Sequence, residues 1–227
     1  MKESRYITDN WFREFPLGNE EPGTKNVLDQ NEFELGFYNG YTLTSIEYYI
    51  NSFRYRGYIE PSPGRDAAFG CSYTLGFGVR HPWPELMDIA NCGVNGASND
   101  HIVRAAISYC ETFKPENIYV LWTFPERRDH IEEDGGVHRY RNMSESRWKE
   151  ELENPTWRTH HMMLGNTKAN KYNKDKNKLL LEMYCSVNNV KLHQLDYNWL
   201  INDRGARDYD HPGETWHANT AAHFLLP

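Results

Sequence analysis

Residues 66–79 have the sequence DAAFGCSYTLGFGV, in which a short apolar stretch runs into a serine and a glycine-containing loop. The apolar stretch predicts a buried β-strand, whereas serine, threonine and glycine are ordinary turn residues. Ser72 therefore has two interpretations from this stretch alone: a catalytic nucleophile, or a turn serine that caps the next segment. A partner elsewhere in the chain is needed to choose between them.

Short apolar runs separated by helical segments continue along the chain. Strands are predicted at DAAFGCS, NCGVNG, NIYVLWTF and KLHQLDY, and helices at HPWPELMDIA, SNDHIVRAAISYCETF, KANKYNKDKNKLLLEMYCSV and GETWHANTAAHFLL. Ser98 is predicted to be the N-cap of the second helix, which is expected to end before Pro115. Bounded apolar runs are typical of parallel strands covered on both faces, so the pattern predicts an α/β fold with a central parallel sheet.

The 227 residues suit one domain with a sizeable core. Residues 1–64 show no sustained apolar period and end in a proline-rich turn, so they are interpreted as an amino-terminal arm or cap segment. Residues 65–227 form the predicted α/β domain. Within it, a polar insertion at about 125–166 is too long for an ordinary loop and is expected to contain a short helix. Trp148 and Trp157 are expected to attach this insertion to the body of the protein or to line a cleft.

Charge and composition restrict the expected partners and location. The formal charge of −7 and the pI near 5.8 give no basic field, so neither nucleic acid nor an anionic membrane is expected as a partner. The start of the chain lacks a secretory signal, and no apolar run reaches the roughly 20 residues of a membrane span, which predicts a soluble cytoplasmic protein. The lysines that follow the insertion are interpreted as a solvated helix face: Lys168, Lys171, Lys174, Lys176 and Lys178.

The cysteines are scattered and form no CxxC pair, so buried free thiols are expected rather than a zinc site or a disulfide framework: Cys71, Cys92, Cys110 and Cys185. Aromatic residues make up 14% of the chain. Rings of this kind serve either a tight core or a surface that faces a sugar.

A candidate partner for the serine lies in DYDHPGETWH, at residues 208–217, just before the last predicted helix. A nucleophilic serine needs a base to accept its proton, and the imidazole of that base needs a carboxylate to orient it. Asp208 and His211 stand three residues apart, so one loop supplies both groups, and Asp210 is the competing carboxylate. Loops at the carboxyl edge of a parallel sheet are where such folds place their sites.

Three stretches, FGCSYTLGFG, NCGVNGASND and DYDHPGETWHANTAAHFL, resemble in this order the sequence blocks of the GDSL/SGNH hydrolases. The resemblance covers roughly residues 65–227 and implies a three-layer, flavodoxin-like fold. It implies that Ser72 is the nucleophile of a serine esterase, with His211 as the acid/base and Asp208 as its orienting carboxylate. Cys71 stands where the family has aspartate.

The resemblance also implies an oxyanion hole, the set of donors that stabilises a tetrahedral intermediate. The backbone N–H groups of Ser72 and Gly96 match two of the family's donors. The third block, with its asparagine, falls near VLWTFPER, where the Thr123 hydroxyl is the substitute that the sequence offers. The expected substrate is an acyl ester of a small molecule or a glycan, including O-acetyl groups of a carbohydrate, and no cofactor or metal is expected.

Other interpretations remain open. In one alternative, the scaffold is catalytically idle and serves as a binding or structural module. In another, the CSYTLG loop binds a phosphate or nucleotide. In a third alternative, the loop before the last helix forms a metal site, with Asp208, Asp210, His211 and His217 as the ligands. Cys71 is a further candidate nucleophile, although its side chain is expected on the face opposite Ser72.

Overall fold

The computed structural model describes residues 22–26, 47–131, 137–140, 167–197 and 211–226. Its strands are β1 (Gly23–Asn26), β2 (Glu47–Ile50), β3 (Ala67–Gly70), β4 (Ala90–Gly93), β5 (Asn117–Trp122), β6 (Arg128–Ile131), β7 (Val137–Tyr140) and β8 (Lys191–Asp196). The helices are α1 (Ser72–Leu75), α2 (Trp83–Leu86), α3 (Asn99–Phe113), α4 (Thr167–Asn188) and α5 (Glu214–Leu225).

Four strands form a parallel sheet in the order β4-β3-β5-β8. Phe69 lies opposite Cys92 of β4 on one side and Val120 of β5 on the other, so β3 is an internal strand of the sheet, as is β5. The chain runs from β3 to β4 and then crosses back to β5 on the other side of β3. In open α/β sheets, ligands bind beside such a reversal, at the carboxyl ends of the strands.

Helices cover both faces of this sheet. Phe69 belongs to the cluster that α3 and α4 bury on one face, whereas Ala68 belongs to the cluster that α2 and α5 bury on the other. Strand β5 alternates in the same way, because Val120 faces the first cluster and Leu121 the second. Burial on both sides explains why these strands are continuously apolar. The predicted α/β class with a central parallel sheet is confirmed.

The predicted helices are present, with one difference in length. Ser98 is the N-cap of α3, since its side chain accepts a hydrogen bond from the His101 N–H, and the helix ends before Pro115 as expected. Helix α2 is only four residues long, shorter than the predicted stretch. It ends early because Asp88 adopts a φ of 56°, in the left-handed region, and this turns the chain into β4.

The described part of the amino-terminal segment packs against the α/β domain. Strands β1 and β2 pair with each other in antiparallel fashion. Ile50 at the end of β2 is almost completely buried, as are Tyr55 and Arg56 in the chain that follows. Tyr55 belongs to the same apolar cluster as Phe69. The boundary at residue 64 stays a prediction, and Phe53 and Tyr55, which precede it, contribute to the core of the α/β domain.

The described part of the insertion forms a second antiparallel pair, β6 with β7. Asp129 of β6 accepts a hydrogen bond from the Ser98 hydroxyl at 2.6 Å and pairs with Arg104 Nη2 at 2.5 Å, so the pair is tied to the start of α3. The predicted short helix, Trp148 and Trp157 lie outside the described residues.

The interpretation of the α4 lysines as a solvated face is wrong at Lys174. Lys168, Lys171 and Lys176 are exposed, but Lys174 is only 6% exposed and its Nζ lies 2.5 Å from an oxygen of Asp196. Asp196 ends strand β8 beside this helix, so its carboxylate compensates the buried ammonium.

The four cysteines are free and buried, as expected from their spacing. Within the described ranges, no helix has both the length and the hydropathy needed to cross a membrane.

Candidate active site

Ser72 is the first residue of α1 and directly follows β3 and Cys71, so it stands at the carboxyl end of an internal strand. The turn is tight because two glycines allow α1 to lie close to the sheet. A Cβ on Gly70 would overlap the Thr74 side chain, and a Cβ on Gly93 would overlap the Leu75 backbone nitrogen. The position of Ser72 therefore depends on the absence of side chains at both glycines.

His211 lies next to this serine although 139 residues separate the two in sequence. The distance from His211 Nε2 to Ser72 Oγ is 2.8 Å, which is a hydrogen bond between a hydroxyl and an imidazole nitrogen. The histidine is half-buried and stands three residues before the start of α5, while Ser72 is 2% exposed. This is the geometry that a general base and its nucleophile require.

The two carboxylates that were predicted as partners of this histidine, Asp208 and Asp210, lie outside the described residues. The choice of Asp208 as the orienting group stays a prediction from the resemblance.

The Cys71 side chain lies on the other face of the sheet. It is fully buried and belongs to the apolar cluster formed with α3, whereas Ser72 meets His211. Alternation along an extended chain accounts for this, because neighbouring side chains point to opposite faces. A thiol packed in this cluster is not placed to exchange a proton with His211.

Three predicted hydrogen-bond donors lack a partner within the described part of the chain. The backbone N–H groups of Ser72 and Gly96 donate to no other described residue, and the buried hydroxyl of Thr123 has no hydrogen-bond partner. Gly96 lies just after the end of β4. Its φ of 69° is a backbone conformation that favours glycine. Buried N–H groups are rarely left unpaired, so these two amides are candidate donors to a ligand.

Asn99 shapes the neighbouring loop after β5. Its side-chain oxygen accepts from the Thr123 N–H at 3.1 Å, and its Nδ2 donates to the Phe124 carbonyl at 2.9 Å. Because both ends of this amide are bonded to the loop, Asn99 orders the chain that carries Thr123.

Half-buried aromatic rings surround the histidine and continue beyond it, and we call them the aromatic wall: Tyr73, Phe77, Phe124 and Tyr197. The His211 ring lies 5.5 Å from the Tyr73 ring and 5.2 Å from the Phe77 ring, centroid to centroid. Beyond these, Phe124 packs against Tyr197 at 4.0 Å. The wall gives the site a predominantly apolar side.

His217 has a structural role that the sequence did not indicate. It is completely buried, and its Nδ1 accepts a hydrogen bond at 3.1 Å from the Trp83 N–H at the start of α2. Burial, with smaller contributions from Arg56 and His211, lowers the pKa of His217 to about 3. Because His217 Nδ1 accepts this hydrogen bond between the two helices, that nitrogen is not available to bind a metal ion.

We expect the free energy of unfolding to fall on acidification because of His217. The folded protein keeps this imidazole neutral down to a pKa of about 3, whereas the unfolded chain binds a proton near pH 6.5. Between these values stability declines by up to about 1.4 kcal/mol per pH unit. Asparagine at this position keeps an acceptor and removes the titration, so His217→Asn should flatten the slope. Urea unfolding between pH 4 and 7 measures the difference between the two proteins, and equal slopes would contradict the assignment.

The sequence matches no protein-family model, no curated protein and no solved structure. Among the described residues, no group of three or more histidine, cysteine, aspartate or glutamate side chains is placed to hold a metal ion. The hydrogen bond between Ser72 and His211 and its surroundings are therefore the basis for a functional assignment.

Proposed function

We propose that the protein is a serine hydrolase that cleaves acyl esters, with Ser72 as nucleophile and His211 as general acid/base. The observation that carries the proposal is the 2.8 Å hydrogen bond between Ser72 Oγ and His211 Nε2 at the carboxyl edge of the sheet. A serine that merely caps a turn has no need of an imidazole from a loop 139 residues away.

In the first step, Ser72 Oγ attacks the ester carbonyl carbon while His211 Nε2 takes the hydroxyl proton. The carbonyl oxygen becomes an oxyanion, and the amides of Ser72 and Gly96, which donate to no other described residue, are proposed to donate hydrogen bonds to it. Thr123 is the proposed third donor, because its hydroxyl is buried and has no partner in the described chain. Preorganised donors of this kind typically supply about 3 kcal/mol each to transition-state stabilisation.

The tetrahedral intermediate then expels the alcohol, which receives the proton from His211, and an acyl group remains on Ser72. A water molecule gives its proton to His211 and attacks the acyl carbon, and the released Ser72 oxygen takes that proton back. Asp208 is proposed to orient the imidazole and to stabilise its protonated form. The proposed cycle needs no cofactor, because its steps transfer only protons and the acyl group.

The order of the parallel strands supports the finer assignment of the fold. Numbered along the chain, the sheet runs second, first, third, fourth, as in the first four strands of the flavodoxin-like arrangement. Helices on both faces of this sheet fit the three-layer form. We therefore propose a flavodoxin-like fold of the GDSL/SGNH hydrolase type.

The aromatic wall favours an ester with an extended apolar or ring-shaped part. Tyr73 and Phe77 flank the reacting histidine, and Phe124 and Tyr197 continue the surface away from it. Aromatic faces pack well against the C–H face of a sugar ring, so O-acetyl groups of a carbohydrate are the proposed substrates within the ester class.

Labelling with a fluorophosphonate tests the proposal directly. An activated serine attacks the phosphorus and expels fluoride, so the folded protein should gain one phosphonyl group on the peptide that contains Ser72. Mass spectrometry of a digest locates the adduct, and urea-unfolded protein is the control that should remain unlabelled. A folded protein that gains no adduct would favour the idle binding module over the hydrolase.

A further inference from the structure

The loop at residues 76–81, which follows the serine turn, is held from one side by a buried arginine of the amino-terminal segment. Arg56 is 2% exposed, and its guanidinium donates to the carbonyl oxygens of Gly76, Val79 and Arg80, the last two at 2.7 and 3.0 Å. Three carbonyls around one guanidinium fix the path of the loop, because the donors lie in a rigid plane.

The same loop is held from the other side by Glu214, the first residue of α5. Its two carboxylate oxygens accept from the N–H groups of Arg80 and His81, at 2.5 and 3.2 Å. Arg80 is thus bonded through its carbonyl to Arg56 and through its N–H to Glu214. We call this arrangement the loop clamp.

The loop clamp connects the two halves of the proposed catalytic pair. On one side the loop continues from the serine turn, since the N–H groups of Gly76 and Phe77 both donate to the Ser72 carbonyl. On the other side Glu214 follows His211 by only three residues, across Pro212 and Gly213. The Phe77 ring of the same loop also packs against the His211 ring at 5.2 Å.

From these contacts we infer that Glu214 is a positioning residue, which sets the separation of Ser72 and His211 by holding the loop after the serine against the helix after the histidine. The inference rests on the proposed function for its effect on the rate, but the geometric effect is independent of it. Glu214 acts through the loop backbone, because its carboxylate accepts from the Arg80 and His81 N–H groups.

Glu214 is the better member of the clamp to substitute. Arg56 is buried and lies 3.7 Å from Glu85, so removing it would leave a half-buried carboxylate without its cation and endanger folding. Glu214 is exposed, and its loss exposes two loop N–H groups that water is able to reach. Thr215, the next residue of the same helical turn, is also exposed and supplies a matched control.

The experiment compares Glu214→Ala, Glu214→Gln and Thr215→Ala with the unchanged chain. A small misplacement of reacting groups costs up to about 100-fold, so Glu214→Ala should lower kcat by 10- to about 100-fold with little change in KM. Glutamine keeps one acceptor oxygen and should restore part of the loss, while Thr215→Ala should keep the original kcat. A kcat unchanged in folded Glu214→Ala would overturn the inference.

A second readout separates this inference from the proposed function. The ¹⁵N chemical shift of His211 Nε2 reports its hydrogen bond with Ser72, whether or not the protein hydrolyses esters. Glu214→Ala should change this shift and Thr215→Ala should not. If the unchanged protein cleaves no ester and takes no fluorophosphonate, the proposed function fails; if the His211 shift is the same in Glu214→Ala, the positioning role fails.

Discussion

Replacing Ser72 with alanine is expected to lower kcat for an aryl acetate by about 10⁴-fold or more, to the rate that binding and the remaining donors sustain. The reason is that the Ser72 hydroxyl is the proposed acyl acceptor and lies 2.8 Å from His211 Nε2. The fold should persist, because alanine removes one oxygen from the start of α1 and leaves the turn glycines in place. The loss of activity is measured from the absorbance of the phenol that the reaction releases.

Cys71→Ala is the matched control for this substitution. It changes the adjacent residue by a similar volume, but the thiol lies in the α3 cluster away from His211, so the activity should remain. Thermal unfolding of both variants shows whether each is folded. Full activity in Ser72→Ala would refute the assignment, and loss in Cys71→Ala with an intact fold would transfer the nucleophile to the thiol.

Replacing His211 with alanine is the second large effect, again about 10⁴-fold in kcat, because it removes the base that the described residues place within hydrogen-bond distance of the Ser72 hydroxyl. A proposed nucleophile and its base act as one unit, so the combined Ser72→Ala and His211→Ala variant should lose no more activity than either single variant. Kinetic measurement of the four proteins tests this non-additivity.

His193→Gln controls for the loss of a histidine elsewhere in the fold. His193 lies in β8, with its ring stacked on Tyr119 at 4.6 Å and away from the serine, so kcat should be unchanged. Multiplicative losses in the double variant would show that Ser72 and His211 act separately, which contradicts a nucleophile and base pair.

Local regularities explain which parts of the fold were predictable. The burial of β3 and β5 on both faces makes their apolar runs continuous, and the Ser98 cap and Pro115 mark the ends of α3, so each signal lies within a few neighbouring residues. The shortened α2 was not predicted, because its end depends on the left-handed backbone of Asp88, which no residue pattern there indicated.

The candidate site was also predictable only in part. The need of a nucleophilic serine for a base, taken with the ordered resemblance to the GDSL/SGNH hydrolases, predicted that Ser72 and His211 pair, and the structure brings them to 2.8 Å. The roles of Asp208 and of the insertion stay predictions, since Asp208 and most of residues 125–166 lie outside the described chain.

The sequence by itself determined the alternation of strands and helices and the residue types of the proposed site, because periodicity, caps and side-chain chemistry are local properties. Only the tertiary structure decided what holds the site in place. Glu214 reaches Arg80 across 134 residues, His217 reaches Trp83 across the same separation, and both bonds end on backbone N–H groups. Every residue except proline carries the same backbone N–H group, so such contacts leave no pattern in the sequence. They form only once the loops and helices have packed.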